Sequence, residues 1–205
     1  MSQYLDWKNV SDRDALSRSL LAGAVVGGTS DTVFGLLARA SADAKQKLDS
    51  IKKRSNMPYL ILVPDIQAAD RLGMGLEKGT AARLAHELWP GPLTLILRAR
   101  KDVPEWMQSN EGGIALRVPS HQGLRSLLEK TGPLFSTSAN VTGQPIPESV
   151  SQMDATIRDQ LSDIIVDEKA ATTVPSTIVD CTQAPPHIIR EGALSAQELQ
   201  RYFRE

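Results

Sequence analysis

A run of five consecutive apolar residues, Tyr59-Leu60-Ile61-Leu62-Val63, leaves few architectures open to this chain. A strand with one solvated face would alternate apolar and polar residues, so an unbroken run predicts a strand that is covered on both faces. Helical patterns flank this run. One begins at a cap on Ser41 and continues to Lys52, and another covers about Thr80 to Leu88, where Trp89-Pro90-Gly91-Pro92 ends it. Strands and helices that interleave in this way indicate an α/β fold.

The rest of the chain continues the same pattern. A helix with Ser11 as its amino-terminal cap is predicted near the start, another from His121 to Lys130, and a capped helix from Ser195 to Phe203. Short apolar runs predict further strands at 24–26, 93–97, 114–118, 133–135, 164–166, 177–179 and 187–189. No internal repeat or convincing linker interrupts the pattern, so we expect residues 1–205 to form a single α/β domain.

Composition excludes several classes of function. The content of 41% hydrophobic and 23% charged residues is that of a soluble globular protein. The net charge of −1 argues against general attraction to nucleic acid or an acidic membrane, and 4% aromatic residues argue against a base-stacking surface. No apolar run approaches the roughly 20 residues that cross a bilayer. The polar N-terminus lacks a signal-peptide pattern, and we therefore expect a cytoplasmic protein without membrane association.

The usual catalytic and metal-binding residue types are sparse. The single cysteine, Cys181, excludes an internal disulfide and a thiolate-rich metal site, and its neighbourhood favours an inert buried thiol over a nucleophile. The histidines, His86, His121 and His187, have no ligand spacing, so a zinc site is not expected. Asp31 lies alone in a turn, where a carboxylate caps backbone N–H groups more often than it binds a metal.

Two segments rich in hydroxyl groups and glycine follow predicted strands. Residues 136–143, Ser-Thr-Ser-Ala-Asn-Val-Thr-Gly, place neutral donors close together, which suits a phosphate or carboxylate. The alternative for this segment is an ordinary polar turn. Residues 27–36, Gly-Gly-Thr-Ser-Asp-Thr-Val-Phe-Gly-Leu, offer a second cradle for a small polar ligand, with a strand-to-helix turn as the alternative.

Cations occupy the ends of several predicted elements. Lys52-Lys53-Arg54 follows a helix, where the residues either compensate the helix dipole or point Lys52 and Arg54 at phosphates. Arg117 ends an apolar strand and is either a carboxylate clamp or an ordinary surface arginine. Ser176 begins a late strand and Arg190 ends another, so a hydroxyl and a further cation lie at strand termini.

Taken together and in this order, these segments resemble the YrdC-like threonylcarbamoyl-AMP synthases. The family pattern runs from P-T-[DE]-T-V-Y-G-L through K-x-R-P, W-P-G-P-x-T, R-x-P-x-H, S-x-S-A-N-x-S-G and S-T-[IV] to R-x-G. The matching segments here are 29–36, 52–54, 89–94, 117–121, 136–143, 176–178 and 190–192, within a resemblance that covers about Gly23 to Gly192. The combination is specific, although each motif alone is not. The resemblance implies an open, twisted, mixed sheet with flanking helices around a positively charged cavity.

The resemblance also assigns roles to residues. Lys52, Arg54, Ser138 and Asn140 match the catalytic Lys, Arg, Ser and Asn of the family. The positions that match L-threonine contacts are Thr32, Arg117, Ser136 and Ser176, with Ser136 contributing its backbone carbonyl. The positions that match ATP contacts are Arg54, Ser138 and Arg190.

The implied reaction joins L-threonine, bicarbonate and ATP into threonylcarbamoyl-adenylate and pyrophosphate. Mg²⁺ accompanies ATP, and it bridges phosphate oxygens with few protein ligands. The product feeds the formation of threonylcarbamoyl-adenosine in tRNA, which requires other transfer proteins, and weak contact of this chain with tRNA is left open. Two other functions remain open: a non-catalytic RNA-binding or ribosome-associated module on the same fold, and a paralogue that uses another carbamoyl compound or amine.

Some residues depart from the family pattern. Thr29-Ser30 replaces Pro-Thr, Phe34 replaces Tyr, and Ser55 replaces the proline after K-x-R. Met57 stands where many members carry a polar ATP contact. These departures predict a more flexible opening loop and weaker nucleotide affinity.

Overall fold

The computed structural model describes residues 2–54, 57–166 and 174–203, and within these ranges the chain forms ten strands and seven α-helices. The strands are β1 (Gln3–Asp6), β2 (Val25–Gly28), β3 (Gly35–Arg39), β4 (Leu60–Leu62), β5 (Leu93–Arg98), β6 (Gly113–Arg117), β7 (Leu134–Ser138), β8 (Asp163–Val166), β9 (Thr177–Asp180) and β10 (His187–Arg190). The helices are α1 (Val10–Leu21), α2 (Ala42–Lys52), α3 (Ile66–Asp70), α4 (Thr80–Leu88), α5 (Gln122–Thr131), α6 (Ala155–Arg158) and α7 (Ala196–Phe203). None of these helices is both long and apolar enough to span a membrane.

All ten strands belong to one sheet, in the order β1-β8-β2-β3-β7-β4-β6-β5-β9-β10. Four neighbouring pairs are parallel and five are antiparallel. The prediction of an α/β fold with an open mixed sheet and flanking helices is therefore confirmed. Because strand order differs from chain order, residues far apart in sequence become neighbours, as Gly35 of β3 and Ser138 of β7 do.

Strand β4 is covered on both faces, as its unbroken apolar sequence predicts. Ile61 packs in a cluster with Leu48 of α2, whereas Leu62 packs in a second cluster with Leu20 of α1 and Leu127 of α5. Alternate residues of the strand thus enter different hydrophobic layers, because successive side chains of a strand point to opposite faces. Helices cover both faces of the sheet, so its central strands are buried.

Three local features differ from the sequence-based expectations. Asn9, not Ser11, caps α1, and its Oδ1 accepts from the Ser11 N–H at 3.0 Å. Strand β1 was not expected, because Leu5 is its only buried residue. The alternative of a strand-to-helix turn after Gly28 is wrong, since the chain enters β3 and pairs antiparallel with β2. Burial of the apolar residues at the start of β3 favours the strand over a helix.

Trp7 joins the amino-terminal segment to the loop between β2 and β3. Its indole is almost fully buried, and its Nε1 donates to the carbonyl and the hydroxyl of Thr29, each at 3.1 Å. The other side of the indole packs on His121, with 4.7 Å between the ring centroids. Trp7 therefore holds the β2–β3 loop against the segment that follows β6.

Gly123 provides a test of this packing. An added Cβ would lie 2.9 Å from Trp7 Cε3 and 3.1 Å from His121 Cε1. Alanine normally favours a helix over glycine by about 1 kcal/mol. Here we expect Gly123→Ala to lower the free energy of unfolding by about 1–3 kcal/mol, because the rings must move. Urea denaturation measures this change. In a Trp7→Leu background the same substitution should become neutral or stabilising, and an equal cost in both backgrounds would contradict the assignment.

Candidate active site

A cavity of about 460 Å³ opens where several strand ends meet. Seven of the predicted site residues line it: Thr32, Arg54, Arg117, Ser136, Ser138, Ser176 and Arg190. The other two, Lys52 and Asn140, do not belong to its lining. Asn140 lines a neighbouring cavity of about 510 Å³, which shares Ile146 with the first. The sheet order thus brings most of the predicted site to one place, although the roles of these residues remain predictions.

Lys52 is buried at the end of α2 and points into the Ser138–Asn140 segment. Its Nζ donates to the carbonyl of Ser138 at 2.6 Å, to the carbonyl of Asn140, and to Asn140 Oδ1 at 3.1 Å. The Ser138 hydroxyl donates to the same Asn140 oxygen. In return, Thr142 Oγ1 donates to the Lys52 carbonyl at 3.0 Å. The ammonium group therefore holds together the backbone of the predicted anion-binding segment.

The environment of Lys52 lowers its pKa to about 8, mainly through burial and secondarily through the positive charge of Arg54. We expect the ¹³Cε resonance of Lys52 to titrate near pH 8, compared with about 10.4 for an ordinary lysine. Arg54→Ala should raise this midpoint, because it removes a like charge. The unfolded chain retains this proton to higher pH, so the contribution of Lys52 to stability should increase from about pH 8 to 10.5. A midpoint above pH 10 measured by NMR would contradict this prediction.

The three consecutive cations at the end of α2, Lys52, Lys53 and Arg54, contact different parts of the structure. Lys53 adopts a left-handed conformation with a φ of 50°, and it lines the neighbouring cavity. Arg54 follows, with its backbone N–H donating to the Asp49 carbonyl at 3.0 Å and its side chain lining the main cavity. Lys52 lies in the last turn of α2, so the helix-dipole interpretation stays open for it, whereas Arg54 lines the main cavity.

Arg117 lies at the end of β6 and forms a buried ion pair with Asp31 from the β2–β3 loop. Arg117 also donates from Nη1 to Thr32 Oγ1 at 2.9 Å. The second Asp31 oxygen accepts from the N–H and the hydroxyl of Ser120, both at 2.8 Å. Burial lowers the pKa of Arg117, and the Asp31 carboxylate opposes this shift. Among the described residues, Arg117 Nε has no hydrogen-bond partner although it is buried.

Arg190 and Ser176 form another part of the cavity wall. Arg190 donates to the Ser176 carbonyl from Nη2 at 2.7 Å and from Nε at 3.2 Å. The hydroxyls of Ser176 and Thr94 are 2.8 Å apart, and both residues are buried. Burial lowers the pKa of Arg190, and the nearby Arg117 lowers it further. Two guanidinium groups therefore approach the cavity from different strands.

The described lining of the cavity carries arginines and hydroxyl groups. Its charged residues are Arg54, Arg117 and Arg190, and the described residues contribute no carboxylate to it. Within the same described ranges, no group of three or more His, Cys, Asp or Glu residues could hold a metal ion. Cys181 follows β9, and burial with the nearby Asp180 charge raises the pKa of its thiol to about 12. Hydroxyls and guanidinium groups, which donate hydrogen bonds and carry positive charge, suit phosphate and carboxylate ligands.

Sequence reasoning missed several residues of this site. The sequence indicates Tyr59 only as part of the apolar run, yet its ring lies under Arg54. Thr94 belongs to the W-P-G-P-x-T match and contacts Ser176, but the spacing alone did not identify it. Of the departures, Phe34 is buried, Met57 lines the cavity, and Ser55 lies outside the described residues.

Comparison with known proteins places this arrangement in context. The family model Sua5_yciO_yrdC, described as "Telomere recombination", matches residues 18–192. The chain is 30% identical over 89% of its length to a threonylcarbamoyl-AMP synthase of Pyrococcus abyssi, but it spans 54% of the length of that relative. It is 32% identical to a Pseudomonas syringae threonylcarbamoyl-AMP synthase, over 86% of this chain and 95% of that protein. A crystal structure of P. abyssi Sua5 complexed with L-threonine superposes with a TM-score of 0.87 at 26% identity, over 98% of this chain and 60% of that one.

Proposed function

The chain belongs to the Sua5/YciO/YrdC family, and from that premise we propose that it is a threonylcarbamoyl-AMP synthase. In this proposal it joins L-threonine, bicarbonate and ATP into threonylcarbamoyl-adenylate and releases pyrophosphate. The observation that carries the proposal is the convergence of Arg54, Arg117 and Arg190 with the hydroxyl-bearing strand ends in one cavity. Relatives with that enzyme name at about 30% identity accord with it.

L-threonine occupies the part of the cavity near Arg117 in this proposal. Arg117 belongs to the lining of the cavity, and a guanidinium group is suited to a carboxylate. Thr32 and Ser176 provide hydroxyls nearby, and in this proposal the Ser136 carbonyl accepts from the amine of threonine. In this proposal bicarbonate takes up a proton and loses water to give carbon dioxide. The unprotonated amino group of threonine adds to the carbon dioxide and releases a proton to solvent, which gives the carbamate.

MgATP occupies the part of the cavity near Arg54, Ser138 and Arg190. The carbamate oxygen attacks the α-phosphorus, the bond from that phosphorus to the bridging oxygen breaks, and pyrophosphate leaves with the electron pair. This displacement at the α-phosphorus itself needs no proton transfer, so positioning and charge stabilisation supply most of its catalysis. The Mg²⁺ ion enters as part of the substrate and is held through phosphate oxygens, which accords with the absence of an acidic cluster in the described ranges.

Lys52 has a positioning role in this proposal. Its ammonium group donates to backbone carbonyls on both sides of Ala139, which directs the Ser138 hydroxyl and the adjoining N–H groups. Lys52 thus acts on the phosphates through the segment that it supports. The product then passes to other proteins that modify tRNA, and we place the reaction in the cytoplasm because ATP and tRNA are available there.

A pyrophosphate-release assay tests the function. We expect release only when L-threonine, bicarbonate and MgATP are all present, and mass spectrometry should identify threonylcarbamoyl-AMP. Equal turnover with serine or another amine would reject L-threonine as the substrate. Tight and steeply salt-dependent RNA binding without turnover would support the non-catalytic module instead.

A further inference from the structure

Tyr59 forms a buried platform beneath Arg54. The guanidinium carbon of Arg54 lies 4.3 Å from the centre of the Tyr59 ring. Arg54 Nε also points to the Tyr59 hydroxyl, at the long donor–acceptor distance of 3.4 Å. When a planar guanidinium group stacks on an aromatic ring, its N–H groups point outward in the plane and can still donate to other acceptors. The stacked arrangement therefore leaves Arg54 able to bind phosphate oxygens in the cavity.

Two contacts fix the position of Tyr59. The Tyr59 hydroxyl donates to Asp49 Oδ1 at 2.8 Å, and Asp49 Oδ2 accepts from Lys45 Nζ at the same distance. The ring also packs on Phe135 in a tilted arrangement, with 5.6 Å between the centroids. Burial, followed by the hydrogen bond to Asp49, raises the pKa of Tyr59 to about 12. The hydroxyl therefore remains protonated and keeps donating throughout the neutral and moderately alkaline range.

The same helix end fixes the backbone that precedes the stacked side chain. Asp49 accepts the Arg54 N–H through its carbonyl at 3.0 Å and the Tyr59 hydroxyl through its side chain. Asp49 thus fixes both the backbone of Arg54 and the position of the Tyr59 ring beneath its side chain. A long arginine side chain loses considerable rotamer freedom when it binds a ligand, so prior ordering strengthens binding.

We propose that Tyr59, anchored by Asp49, is a positioning residue that orders Arg54 for the triphosphate of MgATP. This inference rests on the proposed function for the identity of the nucleotide. The ordering of Arg54 itself is independent of the reaction. Tyr59 contacts no proposed substrate directly, so its effect depends on the presence of Arg54.

The first test needs no ligand. In ¹H–¹⁵N spectra, the Arg54 Nε–H resonance, identified by its loss in Arg54→Ala, should show a ring-current shift and restricted motion. Tyr59→Leu should remove both effects, while Tyr59→Phe should retain the ring shift. An Arg54 resonance with unchanged shift and motion in Tyr59→Leu would overturn the proposal, whatever reaction the protein catalyses.

The second test measures MgATP affinity by calorimetry and the KM values for ATP and L-threonine. Tyr59→Leu should weaken MgATP binding about 5-fold to 30-fold, the range expected for losing a desolvated cation–π contact. Tyr59→Phe keeps the ring and loses only the hydroxyl contact to Asp49, so it should weaken binding less, by about 2-fold to 5-fold. The KM for L-threonine should remain within about twofold. In an Arg54→Ala background, Tyr59→Leu should change MgATP affinity less than about twofold, and an equal loss in both backgrounds would overturn the proposal.

Tyr202→Phe is a matched control. Tyr202 also lies under an arginine, with Arg201 4.9 Å from its ring centre, but this pair lies on α7 and outside the cavity lining. Its substitution should leave MgATP affinity and both KM values unchanged, and an effect equal to that of Tyr59→Phe would overturn the specific role. If the wild type neither binds nor turns over MgATP, the proposed function fails, and the NMR test alone decides the role of Tyr59.

Discussion

Replacing Arg54 with alanine is expected to lower kcat/KM for ATP by about 100-fold to 1000-fold, the loss typical of removing a donor to developing negative charge. Arg54 lines the cavity and is stacked on a buried ring. As pyrophosphate departs, negative charge accumulates on its oxygens, and a guanidinium group binds two of them at once. The assay is pyrophosphate release at saturating L-threonine and bicarbonate, with ATP varied.

Two further variants make this result specific. Arg54→Lys retains the charge but loses the planar pair of donors, so its activity should fall between those of the wild type and Arg54→Ala. Arg39→Ala is the matched control, because Arg39 is an exposed arginine at the end of β3. Full activity of Arg54→Ala would reject the assignment of the phosphate-binding residues.

The second large effect is expected on stability, when Asp31 is replaced by alanine. Arg117 would then remain charged and buried without its ion partner, and the free energy of unfolding should fall by about 3–5 kcal/mol. The Ser120 N–H and hydroxyl would also lose their acceptor. Urea denaturation, with the midpoint and slope fitted separately, measures the loss.

A double-mutant cycle separates the ion pair from general damage to the loop. Removing both charges in Asp31→Ala/Arg117→Met should cost less than removing Asp31 alone, because no buried charge is left unpaired. Asp65→Ala serves as a control, since Asp65 is a loop carboxylate that caps α3 and forms no ion pair among the described residues. A cost for Asp31→Ala equal to that of Asp65→Ala would show that Arg117 is not destabilised by losing its partner.

Local patterns in the sequence were sufficient for much of the fold. The apolar run at Tyr59 predicts a doubly covered strand, and Trp89-Pro90-Gly91-Pro92 predicts the end of α4, because both follow from neighbouring residues alone. The segment after Phe135 was harder. Its hydroxyl residues favour turns as much as strands, but pairing with β3 extends β7 through Ser138.

The composition of the site was only partly predictable. Arg117, Ser176 and Arg190 each lie at a strand end, but the strand order that makes them neighbours is not encoded in any single segment. The resemblance to a family supplied that information. The resemblance assigns Lys52 to the catalytic residues, and that role stays a prediction. The direction of the Lys52 side chain depends on three oxygen acceptors that come together only in the folded loop.

The protonated state of the single thiol has a practical consequence. With its pKa near 12, Cys181 holds a negligible thiolate fraction at neutral pH and should react slowly with maleimides. A cysteine introduced at Met57, which is 51% exposed at the cavity, would accept a fluorophore selectively without removal of the native cysteine. Fluorescence from that label would report nucleotide entry in real time.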